Sequence, residues 1–205
     1  MADTKPVDPF TAAGESGGRL NGTSQPLMHQ HGEEVQRFGE MRLLPIALGY
    51  EARAESGQLL NRILADSIIL YSLYKKHHWL VRGHTFYQLH LLLDKHADEQ
   101  LELIDKLAER VQTLGGVAIA DPRHVAEVTT IPRPPNGAEQ VPAMLSRLLE
   151  AHEIVIEKVR DAITSTAANR DDGTNDLLMS EVLRTHEMQV WFVAEHLVDV
   201  PAVRI

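Results

Sequence analysis

Four polar side chains of metal-binding types recur at helical spacing in the middle of the chain. His90 and Asp94 are four residues apart, and so are Asp105 and Glu109. At about 100° per residue, all four fall on one stripe of a helix over residues 85–114, beside an apolar stripe that faces a core. Imidazole together with carboxylates suits iron, manganese or zinc. The pattern therefore predicts metal ligands along the edge of a buried helix face.

The rise of a helix limits how these ligands can be combined. The two pairs are centred near positions 92 and 107, 15 residues apart, which corresponds to about 22 Å along a helix axis. Metal–ligand bonds for these donors are about 2.0–2.2 Å long, so one helix cannot bring both pairs to one ion. Either the chain has two incomplete half-sites, or the 90/94 pair of one copy meets the 105/109 pair of a second copy. Antiparallel packing about a twofold axis gives the second arrangement, with two identical sites per dimer.

A histidine at the end of the preceding helix could complete each site. Residues 51–82 are predicted to form that helix, with Gly83 at its end. His77 and His78 are adjacent, so their side chains point about 100° apart and cannot both face one site. The residues one and two turns before His77 are partly apolar, and so are those before His78. Periodicity alone therefore does not show which of the two histidines faces the site.

The segment from His78 to Gly116 resembles the Dps family, the ferritin-like mini-ferritins of starved bacterial cells. It contains H-W-x-x-x-G, then F-x-x-x-H-x-x-x-D, then D-x-x-x-E-R, with L-G-G closing the helix. The matching residues are His78, Trp79, Gly83, Phe86, His90, Asp94, Asp105, Glu109, Arg110 and Leu114-Gly115-Gly116. The resemblance covers about residues 50–200. It selects His78 over His77, because the family's ligand directly precedes the tryptophan.

The resemblance implies a function and an assembly. His78, His90 and Asp94 of one chain, with Asp105 and Glu109 of a second, would form a ferroxidase centre that oxidises Fe²⁺ with hydrogen peroxide. Twelve subunits would enclose a hollow in which ferric mineral is stored, with the centres at twofold dimer interfaces. Such a protein would act in the bacterial cytoplasm or nucleoid and protect DNA during oxidative stress. Trp79 is expected to pack beside the site, and Arg110 to pair with a carboxylate at the interface.

The hydrophobic pattern predicts an all-α, ferritin-like four-helix bundle. The four long helices are predicted over residues 51–82, 85–114, 138–167 and 175–199. Thr174 is the expected N-cap of the fourth helix, in which the apolar pattern includes Trp191 and Phe192; Leu101 belongs to the apolar stripe of the second. The connection over residues 117–137 is long for a helix hairpin, and residues 122–128 in it are expected to form a short helix.

An absent motif narrows the class of site. Other di-iron bundles carry Glu-x-x-His on their own helices, and no Glu in this chain has a His three residues later. The shared interface site is therefore favoured over an intrachain one.

Three aspartates cluster where the fourth helix begins. Asp171, Asp172 and Asp176 are favoured there by the helix dipole alone. In related shells this region lines a threefold pore through which iron passes, and Asp176 is the pore candidate.

Composition limits the function classes further. The chain has 20 Lys and Arg against 29 Asp and Glu, a net charge of −9. A protein of this sign is repelled by phosphate backbones unless a basic patch is concentrated somewhere. A DNA-compacting role is thus the alternative function, with weak DNA binding expected. The absence of cysteine excludes a disulfide scaffold, thiolate ligands and a catalytic thiol.

Residues 1–45 are predicted to be a flexible tail in front of a Dps-like domain over residues 46–205, because they are rich in Gly, Ser, Thr, Pro and Asp. Neither a secretory signal nor a membrane span is expected, and a cytoplasmic location follows. The tail lacks the Lys-rich pattern by which DNA-compacting family members make contact. His29 and His31 could bind a metal ion, although two such residues in a soft tail are more often incidental.

Overall fold

A computed structural model describes residues 32–199, and those from Gln36 onward form one packed unit. Its first four helices are α1 (Tyr50–Leu80), α2 (Phe86–Thr113), α3 (Pro122–Val128) and α4 (Val141–Ala168). The last helix runs through α5 (Asp172–Asp176), a π-helical segment (Leu177–Leu183), α6 (Arg184–Ala194) and a 3₁₀ turn (Glu195–Leu197). No strand occurs within residues 32–199. The predicted all-α bundle with a short helix in its long connection is confirmed.

Aliphatic faces of the long helices form the core. α1 and α2 make the most extensive pairing of the bundle, and Leu64 and Leu93 are fully enclosed. α4 contributes Leu148 and Val155, which are also fully buried. Burying one such side chain contributes about 1.5–3 kcal/mol relative to exposure. The core thus holds in fixed register the two helices that carry the ligand candidates.

A short turn joins α1 to α2. α1 ends at Leu80, three residues before the predicted stop at Gly83. Gly83 has a φ of +108°, a backbone conformation that favours glycine, and its carbonyl accepts a hydrogen bond from the amide of Phe86. The turn therefore places the last residues of α1 next to the first turns of α2.

The π-helical segment changes which face of the last helix is buried. The prediction of Trp191 and Phe192 as core residues is wrong, because they are 61% and 40% exposed. A π-helix closes its hydrogen bonds one residue later than an α-helix, so the segment shifts the phase of every residue after it. His186, Gln189 and Val193 take the buried face instead.

The last helix begins earlier than predicted. Its N-cap is Asp171, whose Oδ1 accepts a hydrogen bond from the amide of Thr174 at 3.1 Å, so the prediction of Thr174 as N-cap is wrong. Arg110 donates from Nη2 to Asp171 Oδ1 at 2.6 Å and from Nε to Thr174 Oγ1 at 2.9 Å. The carboxylate that Arg110 pairs with therefore belongs to its own chain. This pair ties the end of α2 to the start of the last helix.

The segment before α1 is bonded to the end of α2. The amide of Arg42 donates to the carbonyl of Gly115 at 2.9 Å, and Arg53 Nη1 donates to the carbonyls of Arg42 and Leu114. Two of these bonds involve Arg42, which lies N-terminal to the predicted domain boundary at 45/46. The boundary itself stays a prediction. His29 and His31 lie outside the described residues.

No helix within residues 32–199 combines the length and the apolar character needed to cross a bilayer.

The close of α2 yields a stability prediction. Gly115 has a φ of +93°, and a Cβ there would lie 2.5 Å from the Arg42 backbone oxygen. Gly115→Ala is expected to lower the free energy of unfolding by about 2–3 kcal/mol, because it adds strain and pushes the Arg42 segment away. Urea denaturation at fixed protein concentration measures this. Gly137→Ala is the matched control, since nothing lies within 4 Å of a Cβ there. Equal stability of the two variants would contradict the account.

Candidate metal centre

His78 and His90 hold each other in place across the turn between α1 and α2. The Nδ1 of His78 lies 2.8 Å from the carbonyl oxygen of His90, and the Nδ1 of His90 lies 2.9 Å from the carbonyl oxygen of His78. The two rings stack with their centroids 3.8 Å apart, and Phe86 stacks on His90 at 5.0 Å. The reciprocal bonds fix the position and orientation of both imidazoles.

The same bonds fix which ring nitrogen is free. A carbonyl oxygen can only accept a hydrogen bond, so each Nδ1 carries the proton and donates it. Each Nε2 is left with a free lone pair. Histidine ligands of metals commonly have their other nitrogen bound in this way, which orients the ring and makes it more basic. His78 and His90 are therefore prepared to bind a cation through Nε2.

Asp94 lies next to the free nitrogen of His78. Its Oδ1 is 3.7 Å from His78 Nε2 and accepts a hydrogen bond from Lys75. That hydrogen bond lowers the pKa of Asp94, so the carboxylate is ionised at neutral pH. The sequence pattern gives no sign of Lys75, whose ammonium group pairs with Asp94.

His77 lies in a different environment from its neighbour. It is buried, with a Nε2 that has no hydrogen-bond partner. Burial, followed by the charge of Lys76, lowers the pKa of His77 to about 4. The structure thus groups His78 with His90 and Asp94, and leaves His77 on the inner side of α1.

Asp105 and Glu109 stand apart from this group. Both side chains are exposed, further along α2. Within residues 32–199 of a single chain, no three His, Asp or Glu side chains converge closely enough to hold a metal ion. Asp176 is also exposed, and its Oδ1 accepts a hydrogen bond from Ser180 at 2.8 Å. One chain alone therefore supplies only separate parts of a site.

Exposed apolar side chains share the stripe of α2 that carries the ligand candidates. Tyr87, Leu91 and Leu101 are each at least half exposed, and Trp79 at the end of α1 is 70% exposed. The prediction that Leu101 faces the core is wrong: it lies only about 20° around the helix from His90. The expectation that Trp79 packs beside the site stays a prediction. Exposed apolar side chains along one helix stripe are typical of a contact surface.

A second group of polar side chains lies inside the bundle. In the sequence, its only indication is a histidine, His152, among the apolar residues of the third long helix. The Tyr74 hydroxyl is 2.6 Å from His152 Nε2, and His152 Nδ1 is 2.9 Å from His186 Nδ1. Gln100 Nε2 lies 3.5 Å from His186 Nε2 and donates to Gln189 at 2.9 Å. All five side chains are fully buried. We call them the core polar chain.

Burial keeps both imidazoles of the core polar chain neutral. It lowers the pKa of His186 to about 3 and that of His152 well below its usual value, with the neighbouring His186 adding to the second effect. Neutral rings can bond to each other, because one nitrogen donates and the other accepts.

Known proteins resemble this chain along most of its length. A ferritin-like domain matches residues 57–203. The solved structure of DpsC from Streptomyces coelicolor is 66% identical and has a TM-score of 0.83; the match covers 84% of this chain and 100% of that one.

Several curated relatives, including the two described here, have names that refer to DNA. The DNA protection during starvation protein of Halobacterium salinarum is 33% identical over 140 residues, 68% of this chain and 76% of that protein. The nutrient stress-induced DNA-binding protein of a Synechococcus strain is 32% identical over 155 residues, 75% of this chain and 87% of that protein.

The buried histidines predict sensitivity to acid. An unfolded histidine takes up a proton near its usual pKa of 6.5, whereas folded His186 stays neutral down to about 3. Unfolding therefore binds a proton in this window, so stability falls as the pH drops through it. In wild type the free energy of unfolding is expected to fall between about pH 6 and pH 4. His186→Gln is expected to reduce the slope of this fall by about 1.4 kcal/mol per pH unit.

Urea denaturation across this pH range measures the slope for wild type and variant. His84→Gln is the control, because His84 is exposed and its loss is expected to leave the slope unchanged. An unchanged slope in His186→Gln would contradict the assignment of a neutral buried ring.

Proposed function

The chain belongs to the Dps family of ferritin-like proteins, and from this premise we propose that it is a ferroxidase that stores iron. It oxidises Fe²⁺ to Fe³⁺ at a site shared by two copies of the chain, and it deposits ferric mineral inside a hollow homo-oligomer of twelve subunits. Removal of Fe²⁺ and hydrogen peroxide protects DNA in the bacterial cytoplasm during oxidative stress.

The symmetric spacing along α2 carries this proposal. The midpoint of positions 90 and 109 coincides with the midpoint of positions 94 and 105. Two α2 helices that pack antiparallel at that point set His90 of one copy opposite Glu109 of the other, and Asp94 opposite Asp105. A twofold interface uses the same surface on both copies, so one such contact completes two sites. Leu101 lies near the midpoint, where its exposed side chain would be covered.

Each residue has a defined part in the shared site. His78 and His90 offer neutral Nε2 lone pairs, and Asp94 offers an ionised carboxylate once Fe²⁺ displaces Lys75. Asp105 and Glu109 of the second copy add two further carboxylates. These are hard oxygen ligands, and they favour Fe³⁺ over Fe²⁺. Manganese or zinc ions suit the same donors.

Hydrogen peroxide is the oxidant that we propose. Two Fe²⁺ ions supply the two electrons that reduce one peroxide molecule to two hydroxide ions, so no hydroxyl radical is released. The imidazoles bind metal only when neutral, because a proton on Nε2 removes the lone pair. Protons therefore compete with iron for these lone pairs.

Iron must also reach the inside of the oligomer. Asp176 is our candidate for a pore residue, since its carboxylate is exposed at the start of the last helix. Asp171 is excluded from this role because it is buried and paired with Arg110.

Tight DNA binding is the alternative that the names of two relatives suggest. A net charge of −9 opposes it, because phosphate contacts require concentrated Lys and Arg. We therefore propose that DNA is protected chiefly through removal of iron and peroxide.

Anaerobic loading with Fe²⁺, followed by stoichiometric hydrogen peroxide, tests the function. The wild-type protein is expected to form ferric absorbance rapidly, with little hydroxyl radical captured by a spin trap. The double variant His78→Ala/Asp94→Asn is expected to oxidise iron at least about tenfold more slowly, because two of its ligands are gone. Asp98→Asn changes an exposed carboxylate of α2 outside the ligand pattern, and it should retain the wild-type rate. Equal rates in wild type and the double variant would contradict the proposal.

A further inference from the structure

The core polar chain contains a buried tyrosine with a proton acceptor in direct contact. Tyr74 is completely enclosed, and its hydroxyl lies 2.6 Å from His152 Nε2. The proposed ferroxidase reaction uses neither residue. A buried phenol at this distance from an imidazole has a chemistry of its own, because the proton can move without the help of solvent.

A short contact suits an O–H donor. Hydrogen bonds from N–H to oxygen are usually about 2.7–3.2 Å long, whereas O–H donors form bonds down to about 2.5 Å. In the tautomer in which the Tyr74 hydroxyl donates over its 2.6 Å contact, His152 Nε2 accepts, and His152 Nδ1 carries the proton that it donates to His186 Nδ1 at 2.9 Å. The hydroxyl also lies 3.3 Å from Nδ1 of the buried His96, which is the longer contact, so His152 is the acceptor that we assign. Tyr74 thus faces His152 and His186 in series, with His96 beside it.

This arrangement suits the loss of one electron from the phenol. An oxidised phenol is a strong acid, so its proton leaves together with the electron if an acceptor is in contact. Burial and the charge of Glu99 raise the pKa of Tyr74 well above its usual value, so the proton does not leave beforehand. His152 can take the proton even though burial lowers its pKa, and His186 can share the resulting charge.

A metal ion is a poorer explanation of the same residues. Both ring nitrogens of His152 are already engaged, at hydrogen-bonding distances of 2.6 and 2.9 Å. No three-ligand metal cluster involving them is found among residues 32–199. The geometry is that of a chain of hydrogen bonds.

The core polar chain lies close to the candidate metal centre. Tyr74 precedes His78 by one turn of α1, which corresponds to about 6 Å along the helix axis. The phenol is therefore within reach of electron exchange with iron bound at His78, while remaining on the buried side of the helix.

We propose that Tyr74 is a redox-active residue that lends one electron to the iron site while His152 holds its proton. The source of the oxidant rests on the proposed function. When a site holds a single Fe²⁺, hydrogen peroxide takes one electron from it and gives Fe³⁺, hydroxide and a hydroxyl radical. The radical takes an electron from Tyr74 and becomes hydroxide, and the phenolic proton moves to His152.

A second Fe²⁺ completes the cycle. It returns one electron to the neutral tyrosyl radical, and the proton returns from His152 to the phenol. The sum is two Fe²⁺ and one peroxide converted to two Fe³⁺ and two hydroxide ions, as in the paired reaction. Tyr74 thereby prevents escape of the hydroxyl radical when a site is only half filled.

Freeze-quench electron paramagnetic resonance tests this proposal. The triple variant Tyr50→Phe/Tyr71→Phe/Tyr87→Phe keeps Tyr74 as the only tyrosine of the chain. Loaded with Fe²⁺ below one ion per site and mixed with hydrogen peroxide, it is expected to show a tyrosyl radical. Adding Tyr74→Phe removes a single oxygen atom and is expected to abolish the signal.

The role of His152 has its own spectroscopic signature. A proton held on His152 and bonded to the radical oxygen gives a hyperfine coupling that disappears in D₂O. His152→Gln is expected to lose this coupling and to lower the radical yield. A radical of unchanged yield and coupling in His152→Gln would overturn the assignment of the acceptor.

An iron-free experiment separates this inference from the proposed function. Azide radicals made by pulse radiolysis oxidise exposed indoles, and the triple variant is expected to convert the indole radical to a tyrosyl radical, which Tyr74→Phe abolishes. A Tyr74 radical after pulse radiolysis, together with no iron oxidation after peroxide addition, would support the inference about Tyr74 and contradict the proposed ferroxidase function. Normal iron oxidation without a Tyr74 radical in either experiment would overturn the inference alone.

Discussion

The separation of two ligand pairs on one rigid helix constrains everything else in this molecule. A helix over residues 86–113 holds His90 and Asp94 far from Asp105 and Glu109, at about 22 Å between the pair centres, and metal bonds of about 2 Å cannot span that gap. The bundle does not bend to relieve it, since the core fixes α2 against α1. In the proposed function the missing ligands of each half come from a second copy, and the symmetric spacing with its exposed apolar side chains supports that proposal.

The parts of the fold that could be predicted from the sequence are those that depend on the local hydrophobic pattern and on nearby turn residues. The long helices, the short helix over residues 122–128 and the glycine stop of α2 follow from patterns within a few residues. Two features were missed. Asp171 caps the last helix because Arg110 from α2 pairs with it. The π-helical segment rotates Trp191 out of the core, and no local pattern announces the phase shift.

The candidate site shows the same division. Ligand types and spacing are local. The structure places His78 against His90 and 3.7 Å from Asp94, and the role of these residues as ligands stays a prediction. Lys75 was missed because its partner Asp94 lies on another helix. Leu101 was assigned to the core because its apolar side chain alone does not distinguish a buried position from an exposed one. The core polar chain was missed because its tyrosine and histidines lie among aliphatic residues on separate helices.

The most direct test of the shared site is complementation between subunits. His90→Ala and Glu109→Gln damage opposite halves, so a mixed dimer has one intact site only if each site uses both chains. Random co-assembly of the two inactive variants is then expected to restore about a quarter of the wild-type iron oxidation rate, since half of the dimers are mixed and each has one good site of two. His90→Ala co-assembled with Asp94→Asn, which damages the same half, should restore none. Failure of the first mixture to exceed the second would contradict a site built from two chains.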